Sequence, residues 1–254
     1  MKQSILFAVA AALVLSTGAY AEEKGHGGDH APHWGYTGEG GPSHWGDLDD
    51  KYHMCKAGNS QSPIDIGAET PHQDATPLNM SYKPTNVRVV NNGHTIQANY
   101  DAGSTLTVDG KVYNLLQFHF HSPSEHTYKG KPYPLEAHLV HKADDGSLAV
   151  VGVLIRKGRK NAFLEQIWNQ MPTMVNHEMG SGTQNVADFL PSTDAYWHYS
   201  GSLTTPPCSE GVKWFVMDKS TTASPDQIDK FLGLIHENAR PVQPLNDRAV
   251  VHRK

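Results

Sequence analysis

Two runs near the middle of the chain alternate polar and apolar residues with the two-residue period of a β-strand. The first covers residues 117–121 and has the sequence QFHFH. Successive side chains of a strand point to opposite faces of the sheet. The pattern therefore predicts a strand on which Gln117, His119 and His121 share one face, while the two phenylalanines share the other.

The second run, residues 135–141, has the same period. It places Glu136, His138 and Val140 on one face of a second predicted strand. The intervening residues, 122–134, are rich in glycine, proline and lysine, which indicates a loop. Two strands joined in this way are expected to pair in antiparallel fashion, so His138 would face the two histidines of the first strand.

Three imidazoles that converge on one point predict a metal site. Zn²⁺ in an enzyme usually takes three protein ligands and keeps one position open. Metal-bound histidines normally donate their second N–H to an acceptor, and Gln117 and Glu136 lie on the correct faces to accept it. The plain alternative is that these are ordinary surface or core residues among the sixteen histidines of the chain.

The rest of the pattern predicts a β-rich domain. Further strands are expected at six runs, which are 87–90, 95–100, 105–108, 111–116, 148–156 and 212–217. Asp109 and Gly110 form a predicted hairpin turn. The run 148–156 is almost continuously apolar, so we expect it to be central and buried.

Helices are predicted at two places. Apolar residues recur at helical spacing across residues 161–170. A second helix is expected to begin at Pro225, with Ser224 as its N-cap, and to extend to about Glu237. Residues 34–84 are interrupted by glycine, proline, asparagine and serine, which predicts irregular structure with short helical turns.

The beginning of the chain has the pattern of a secretory signal peptide. Lys2 supplies positive charge, residues 5–15 are apolar, and residues 19–21 form a small-x-small cleavage motif. A membrane anchor is the alternative, but it would need about 20 apolar residues and the run stops early. The expected divisions are a signal peptide at 1–21, a flexible His- and Gly-rich leader at 22–32 and a single domain at 33–254.

Charge and cysteine content narrow the function further. The net charge is −5 and no basic patch is dense, so neither nucleic acid nor a membrane surface is an expected partner. No later segment is apolar enough to span a membrane. Cys55 and Cys208 are the only cysteines. In an exported protein an even number favours one disulfide over two buried thiols.

Seven short motifs resemble, in order, those of the α-class carbonic anhydrases of bacterial, exported type. They are HWGY at 33–36, QSPIDI at 61–66, QFHFH at 117–121, SEHT at 124–127, EAHLVH at 136–141, YSGSLTTPP at 199–207 and RPVQPL at 240–245. The resemblance covers nearly the whole chain after residue 32. It implies an α+β, mainly β, fold: a large twisted, mostly antiparallel central sheet with short peripheral helices, whose active-site cone reaches the centre.

The resemblance also implies a reaction. A zinc enzyme of this family hydrates carbon dioxide reversibly to bicarbonate and a proton through attack by zinc-bound hydroxide. Zinc held by neutral His119, His121 and His138 keeps its full charge and lowers the pKa of bound water to about 7, a value established for carbonic anhydrase itself. The same hydroxide would support weak esterase activity. Cobalt or iron could occupy the same three nitrogens.

Roles near the metal follow from the resemblance alone. Thr204 would accept a hydrogen bond from the hydroxide and donate one to Glu125, while Thr205 would contact bicarbonate or an inhibitor anion. Without the family, Thr204 is better explained as a turn residue and Glu125 as a surface acid. The apolar wall for CO₂ would comprise Val140, Val150, Leu203 and Trp214. Each of these four has a plain alternative as a core residue.

Regeneration of hydroxide requires a proton to leave the site. The resemblance assigns this shuttle to His94, which follows an Asn-Asn-Gly turn and titrates near neutral pH. Tyr36, Asn92 and Gln97 would hold the intervening waters, although the position of Gln97 varies among relatives. An ordinary surface histidine is the alternative for His94.

Other expectations also rest on the family. Bacterial members carry a bridge of the Cys55–Cys208 kind, are inhibited by anions and sulfonamides, and are often dimers. The resemblance therefore implies a disulfide, such inhibitors and a homodimer. Export implies the periplasm or the exterior.

Two other functions explain parts of the pattern. A carbonic-anhydrase-like binding module would lack catalysis, but such modules lose metal-binding histidines, and all three are retained here. A periplasmic zinc-buffering protein would carry a long His-rich loop, whereas the leader is short. The sequence therefore favours the enzyme.

We expect the exported protein to begin at Glu22, because cleavage should follow the small residue Ala21. The intact mass of the protein recovered from an exporting host measures this. The variant Ala21→Phe is expected to accumulate uncut. A mature chain that retains residues 1–21 would contradict the assignment.

Overall fold

The computed structural model describes residues 33–68, 71–72 and 78–254, with only the backbone of residues 71–72. The signal peptide and the leader expected at 1–21 and 22–32 lie outside the described residues. No helix in the described part of the chain is both long and apolar enough to cross a membrane.

Sixteen strands are described. They are β1 Asp65–Ile66, β2 Pro71–His72, β3 Asn79–Ser81, β4 Thr85–Asn91, β5 Ile96–Asn99, β6 Thr105–Val108, β7 Lys111–His121, β8 Thr127–Tyr128, β9 Lys131–Pro132, β10 Leu135–Lys142, β11 Leu148–Lys157, β12 His177–Gln184, β13 Tyr196–Ser202, β14 Glu210–Met217, β15 Thr221–Ala223 and β16 Val251–Arg253. The helices are short. They are α1 Trp45–Leu48, α2 Met54–Ala57, α3 Ala162–Trp168 and α4 Pro225–Ile235, with 3₁₀ turns at Gly38–Gly40, Asp50–Tyr52 and Val186–Phe189.

Most strands join one large sheet. Its order is β12-β4-β5-β7-β10-β11-β14-β13-β16-β2, with β15 beside β11 and with β6 linking β3 to β7. Strands β1, β8 and β9 form a small second sheet. Neighbours in the large sheet are mostly antiparallel; β11 pairs in parallel with β14 and β15, and β16 with β2. The predicted fold class is confirmed.

Several predicted boundaries need correction. The prediction of a separate strand at 111–116 is wrong, because these residues and the QFHFH run form the single strand β7. Helix α4 ends at Ile235 rather than near Glu237, because His236 takes a positive φ of 62°. Strands β12 and β13 were absent from the predicted set, as were the short strands β1, β2, β3, β8, β9, β15 and β16.

The start of α4 has the predicted cap, and the start of α3 has a cap that was not predicted. The side chain of Asn161 accepts a hydrogen bond from the Leu164 N–H at the start of α3. Ser224 and Gln227 form a reciprocal capping box at the start of α4, with Pro225 at the first helical position. These caps satisfy amide groups that have no partner within the helix.

The central sheet separates two apolar clusters. Phe118 and Phe120 of β7 lie in the larger one with Leu139 of β10, and helices α3 and α4 cover it. Val150 and Trp214 belong to the smaller cluster on the opposite face, and Val140 packs against it. The alternation predicted for the two histidine-bearing strands thus divides a packing face from a face that carries polar groups.

His141 is a buried exception on the packing face. Its Nε2 lies 2.9 Å from the Tyr82 hydroxyl and its Nδ1 lies 3.3 Å from the Ala149 carbonyl oxygen. Burial lowers the pKa of His141 from 6.5 to about 4, and the two carbonyl oxygens near the ring, of Ala149 and Leu139, oppose this only in part. The ring is therefore neutral in the folded protein at neutral pH.

We expect His141 to make the protein acid-sensitive. Below pH 6.5 the unfolded chain binds a proton that the folded chain refuses until about pH 4. The free energy of unfolding is therefore unaffected by His141 above pH 6.5. Between pH 6.5 and about pH 4 it falls, by about 3 kcal/mol at most. In His141→Leu the free energy of unfolding should change less between pH 7 and pH 5, although loss of the Tyr82 contact lowers it at pH 7. Exposed His53→Leu is the control, and equal slopes for both variants would contradict the argument.

Candidate metal centre

Pairing between β7 and β10 brings the three predicted histidines together. His138 lies opposite His119, and Glu136 lies opposite His121. One nitrogen from each of the three rings can be chosen so that all lie within 4.8 Å of one another. The antiparallel pairing predicted from the loop between the runs is confirmed.

The second nitrogen of each ring faces an acceptor. His119 Nδ1 lies 2.8 Å from Gln117 Oε1, and His121 Nδ1 lies 2.8 Å from the main-chain oxygen of Asn238. His138 Nε2 lies 3.0 Å from Glu136 Oε1. The acceptors of His119 and His121 fix the orientation of those rings and leave the other nitrogen for the centre, as metal-bound histidines require. His138 Nε2 lies close to its carboxylate but makes no hydrogen bond among the described residues.

Glu136, the carboxylate beside His138, has a second histidine as a neighbour. Glu136 also accepts from the main-chain N–H of His126, at 2.9 Å, and lies 2.7 Å from His126 Nδ1. Gly152 is paired with His138 on β11, and a Cβ there would lie 3.0 Å from Glu136 Oε1. The absence of a side chain at Gly152 therefore makes space for the Glu136 carboxylate.

Burial sets the protonation of two of the rings. It holds the pKa of His119 well below its usual range, and the neighbouring His121 and His138 act in the same direction. Burial also lowers the pKa of His121, although Glu125 opposes it. Burial is also the largest single influence on His138 and acts to lower its pKa, but Glu136 and Glu125 together outweigh it and raise that pKa. At neutral pH the first two rings are neutral and can offer a lone pair.

These residues fit a zinc ion. His121 Nε2 is buried and has no hydrogen-bond partner among the described residues, which is costly unless another group completes it. Three imidazole nitrogens that can lie within 4.8 Å of one another suit the three-ligand sites of catalytic zinc. Imidazole also suits copper, iron and nickel, so the donor set alone fits a metal and does not identify it.

Glu125 and Thr204 lie next to this centre. Glu125 Oε1 accepts from the main-chain N–H of Arg240 at 2.9 Å, and its Oε2 lies 3.8 Å from His138 Nδ1. That Oε2 has no hydrogen-bond partner in the described part of the chain, so no hydrogen bond joins it to the Thr204 hydroxyl here. Thr204 is buried at the edge of the cavity described next.

An apolar cavity of about 120 Å³ opens on one side of the histidines. Its lining includes all four residues assigned to the apolar wall, Val140, Val150, Leu203 and Trp214. The others are Gln117, His119, His138, Thr204 and Thr205. The structure thus brings the predicted wall and two metal ligands to one enclosed space.

A second cavity, of about 140 Å³, opens on the other side. Its lining residues are Trp34, Tyr36, Asn92, His94, Thr95, Gln97, Gln117, His119, His121 and Thr205. The His94 ring stacks on the Trp34 ring, with 3.8 Å between centroids and 6° between planes. Burial, and then the nearby His33, lower the pKa of His94, so the neutral form that can accept a proton predominates at pH 7.

The two cysteines form a disulfide, as the sequence predicted. The main-chain oxygens at its two ends are both occupied. Arg240 Nη2 donates to the Cys55 oxygen at 2.9 Å, and Gln61 Nε2 donates to the Cys208 oxygen at 3.0 Å. Arg240 Nη1 donates to Gln61 Oε1 at 2.8 Å. The bridge is therefore tied through Arg240 to Glu125.

Sequence reasoning missed four residues at this site. They are Trp34, His126, Asn238 and Arg240. Three of them lie inside the quoted motifs HWGY, SEHT and RPVQPL, so their positions were visible but their contacts were not. Asn238 lies just before the last motif, and no local pattern predicts its bond to His121, 117 residues away.

Comparison with known proteins agrees with this geometry. The family model for eukaryotic-type carbonic anhydrase matches residues 40–254. A carbonic anhydrase of Pectobacterium carotovorum is 43% identical over 222 residues, which cover 87% of this chain and 91% of that protein.

Two solved structures are similar throughout. A hyperthermostable carbonic anhydrase from an active hydrothermal vent chimney has a TM-score of 0.84 and 47% identity, and the match covers 87% of this chain and 100% of that one. The α-carbonic anhydrase of Thermovibrio ammonificans, in complex with the inhibitor sulfanilamide, has a TM-score of 0.85 and 45% identity with the same coverage. The chain therefore belongs to the α-class, or eukaryotic-type, carbonic anhydrase family. The expected family and enzyme class are confirmed.

Proposed function

We propose that this protein is an exported zinc enzyme that hydrates CO₂ reversibly to bicarbonate and a proton. The observation that carries the proposal is that the three histidines line two cavities, one that contains the four residues of the apolar wall and one that contains Tyr36, Asn92, His94 and Gln97. Hydration of CO₂ needs both, because the substrate is apolar whereas the proton must leave through polar groups.

His119, His121 and His138 would hold the zinc ion. When bound by three neutral ligands, zinc supplies a hydroxide nucleophile at neutral pH by lowering the pKa of its water to about 7, a value known for carbonic anhydrase itself. Gln117 and Glu136 keep two of the rings in place. The third ring is fixed by the main-chain oxygen of Asn238.

Thr204 and Glu125 would orient the attacking oxygen. A threonine hydroxyl accepts a hydrogen bond in a fixed direction only when its own proton is donated elsewhere, and Glu125 Oε2 is a buried acceptor with no partner in the described residues. A small rotation of either side chain would have to complete this pair. Thr205, which lines both cavities, would contact bicarbonate or an inhibitor anion.

Val140, Val150, Leu203 and Trp214 would bind CO₂. Such a small apolar molecule offers few hydrogen bonds, so apolar surface with the correct volume must hold it beside the nucleophile. The proton would leave through His94, with Tyr36, Asn92 and Gln97 holding water in the polar cavity. Burial, and then the charge of Glu125, raise the pKa of Tyr36 well above its usual range, so its hydroxyl stays neutral and can donate to water.

Further parts of the proposal concern partners and location. We infer sulfonamide and anion inhibitors, since a relative at 45% identity binds sulfanilamide. Export after removal of residues 1–21 agrees with the disulfide, because disulfides persist in oxidising compartments. A homodimer and weak esterase activity are also proposed from the family.

Removal of zinc should abolish hydration. The mature protein is expected to hydrate CO₂ rapidly in stopped flow, to lose that activity after chelation and to regain it with added Zn²⁺. Zinc bound by the protein with no hydration would overturn the enzyme in favour of a binding or buffering protein.

The variant His119→Ala should lose both zinc affinity and hydration, because one of three ligands is gone. Its control is His177→Ala, a change at an exposed residue of β12 that should leave both unchanged. Full hydration by zinc-free His119→Ala would contradict the metal assignment.

The variant His94→Ala should keep its zinc but turn over more slowly in weak buffer, by about 10²-fold, the lower end of the range typical for loss of one general acid or base. Added imidazole should restore the rate, because it carries the proton that His94 no longer transfers. An unchanged rate at every buffer concentration would remove His94 from the mechanism.

A further inference from the structure

One buried residue, Asn238, bonds to both sides of the polar cavity. Its main-chain oxygen lies 2.8 Å from His121 Nδ1. Its side-chain Nδ2 donates to the main-chain oxygens of His94 and Phe120, both at 2.9 Å. Its Oδ1 accepts from the Ser122 N–H at 2.8 Å. A metal ligand and the main chain of the proton relay are thus attached to a single residue.

Only an asparagine fits this set of bonds. The amide group supplies two N–H donors on one atom and an acceptor on the other, and all three are used. Aspartate would keep the acceptor and lose both donors, and serine has a single donor. Asn238 is only 1% exposed, so water cannot replace a lost partner easily.

The turn that carries His94 is otherwise held mainly by itself. Asn92 Oδ1 accepts from the N–H groups of His94 and Thr95, and Asn91 Oδ1 accepts from Gly93 N–H. Thr95 Oγ1 donates to the Phe120 oxygen on β7. The oxygen of His94 itself is fixed from outside the turn by Asn238.

We propose that Asn238 is a positioning residue that sets the distance between the proton relay His94 and the metal ligand His121. The proposal rests on the proposed function, in which His94 transfers the proton. Asn238 is not among the described residues that line the apolar cavity. Its side chain therefore acts on proton exit and not on the attack on CO₂.

Loss of the side-chain amide has a defined consequence. The Phe120 oxygen keeps its bond from Thr95, whereas the His94 oxygen loses the one hydrogen-bond partner it has among the described residues. The His94 ring would then be held chiefly by its stack on Trp34. Proton transfer depends steeply on distance, so the relay step should slow while the metal ligands stay in place.

The test compares Asn238→Ala with His94→Ala and with the double variant. In weak buffer Asn238→Ala should hydrate CO₂ about tenfold more slowly, less than the ~10²-fold cost of a 1 Å misplacement. Imidazole should restore the rate, and kcat/KM and zinc content should stay within about twofold of wild type. The double variant should be no slower than His94→Ala alone, because Asn238 acts through His94.

Amide hydrogen exchange supplies a readout other than activity. In Asn238→Ala, with and without zinc, the amides of His94 and Thr95 should exchange faster, while those of β10 should not. Asn238→Asp keeps the acceptor for Ser122 and replaces Asn238→Ala if that variant fails to fold. Asn161→Ala, which removes the cap of α3 far from the site, is the control for a general loss of stability.

Two results would overturn the proposal. One is a parallel fall of zinc content and kcat/KM with no rescue by imidazole. That result would mean that Asn238 orients the His121 ring and does not position His94. The other is unchanged exchange at His94 and Thr95 in both Asn238 variants. If His94→Ala itself ignores imidazole, the relay fails as a function, and hydrogen exchange still decides whether Asn238 positions the turn.

Discussion

The structure depends on the pairing register between β7 and β10. Because side chains alternate along a strand, a slip of one residue would turn His119 and His121 into the apolar cluster and bring Phe118 and Phe120 to the polar face. The register is held from both sides: the phenylalanines must stay with the helices, and the histidines must stay with their acceptors. Packing on one face thus fixes which side chains reach the other face, and the acceptors there orient the rings.

Two of the three acceptors are local and one is distant. Gln117 and Glu136 each lie two residues before the ring that they face, on the same strand, whereas Asn238 follows the last helix. The segment that contains Asn238 and Arg240 therefore connects the metal ligands, the carboxylate of Glu125 and the disulfide. The buried hydrogen bonds of Asn238 and Arg240 link these groups to one another and so favour a single arrangement of the site.

Much of this could be predicted from the sequence, and the failures have physical reasons. Period-two alternation and a loop of turn-forming residues were enough to place His119, His121 and His138 on paired strands. Strand β12 escaped prediction because its sequence, HEMGSGTQ, is polar, Gly-rich and exposed, so edge pairing and not burial makes it a strand. Strand β13 escaped prediction because no glycine turn bounds it. The bond from Asn238 to His94 joins residues 144 apart, and a linear pattern carries no information about such contacts.

The two cavities share only Gln117, His119 and Thr205 among their lining residues. In the proposed function, CO₂ enters through the apolar cavity and the proton leaves through the other one. A substitution that reshapes the apolar cavity would change which small electrophiles can bind there. It would leave proton transfer through the other cavity intact. Evolution or design can therefore change substrate choice and turnover separately in this scaffold. The exceptions are the three residues that line both cavities, where one substitution affects both properties.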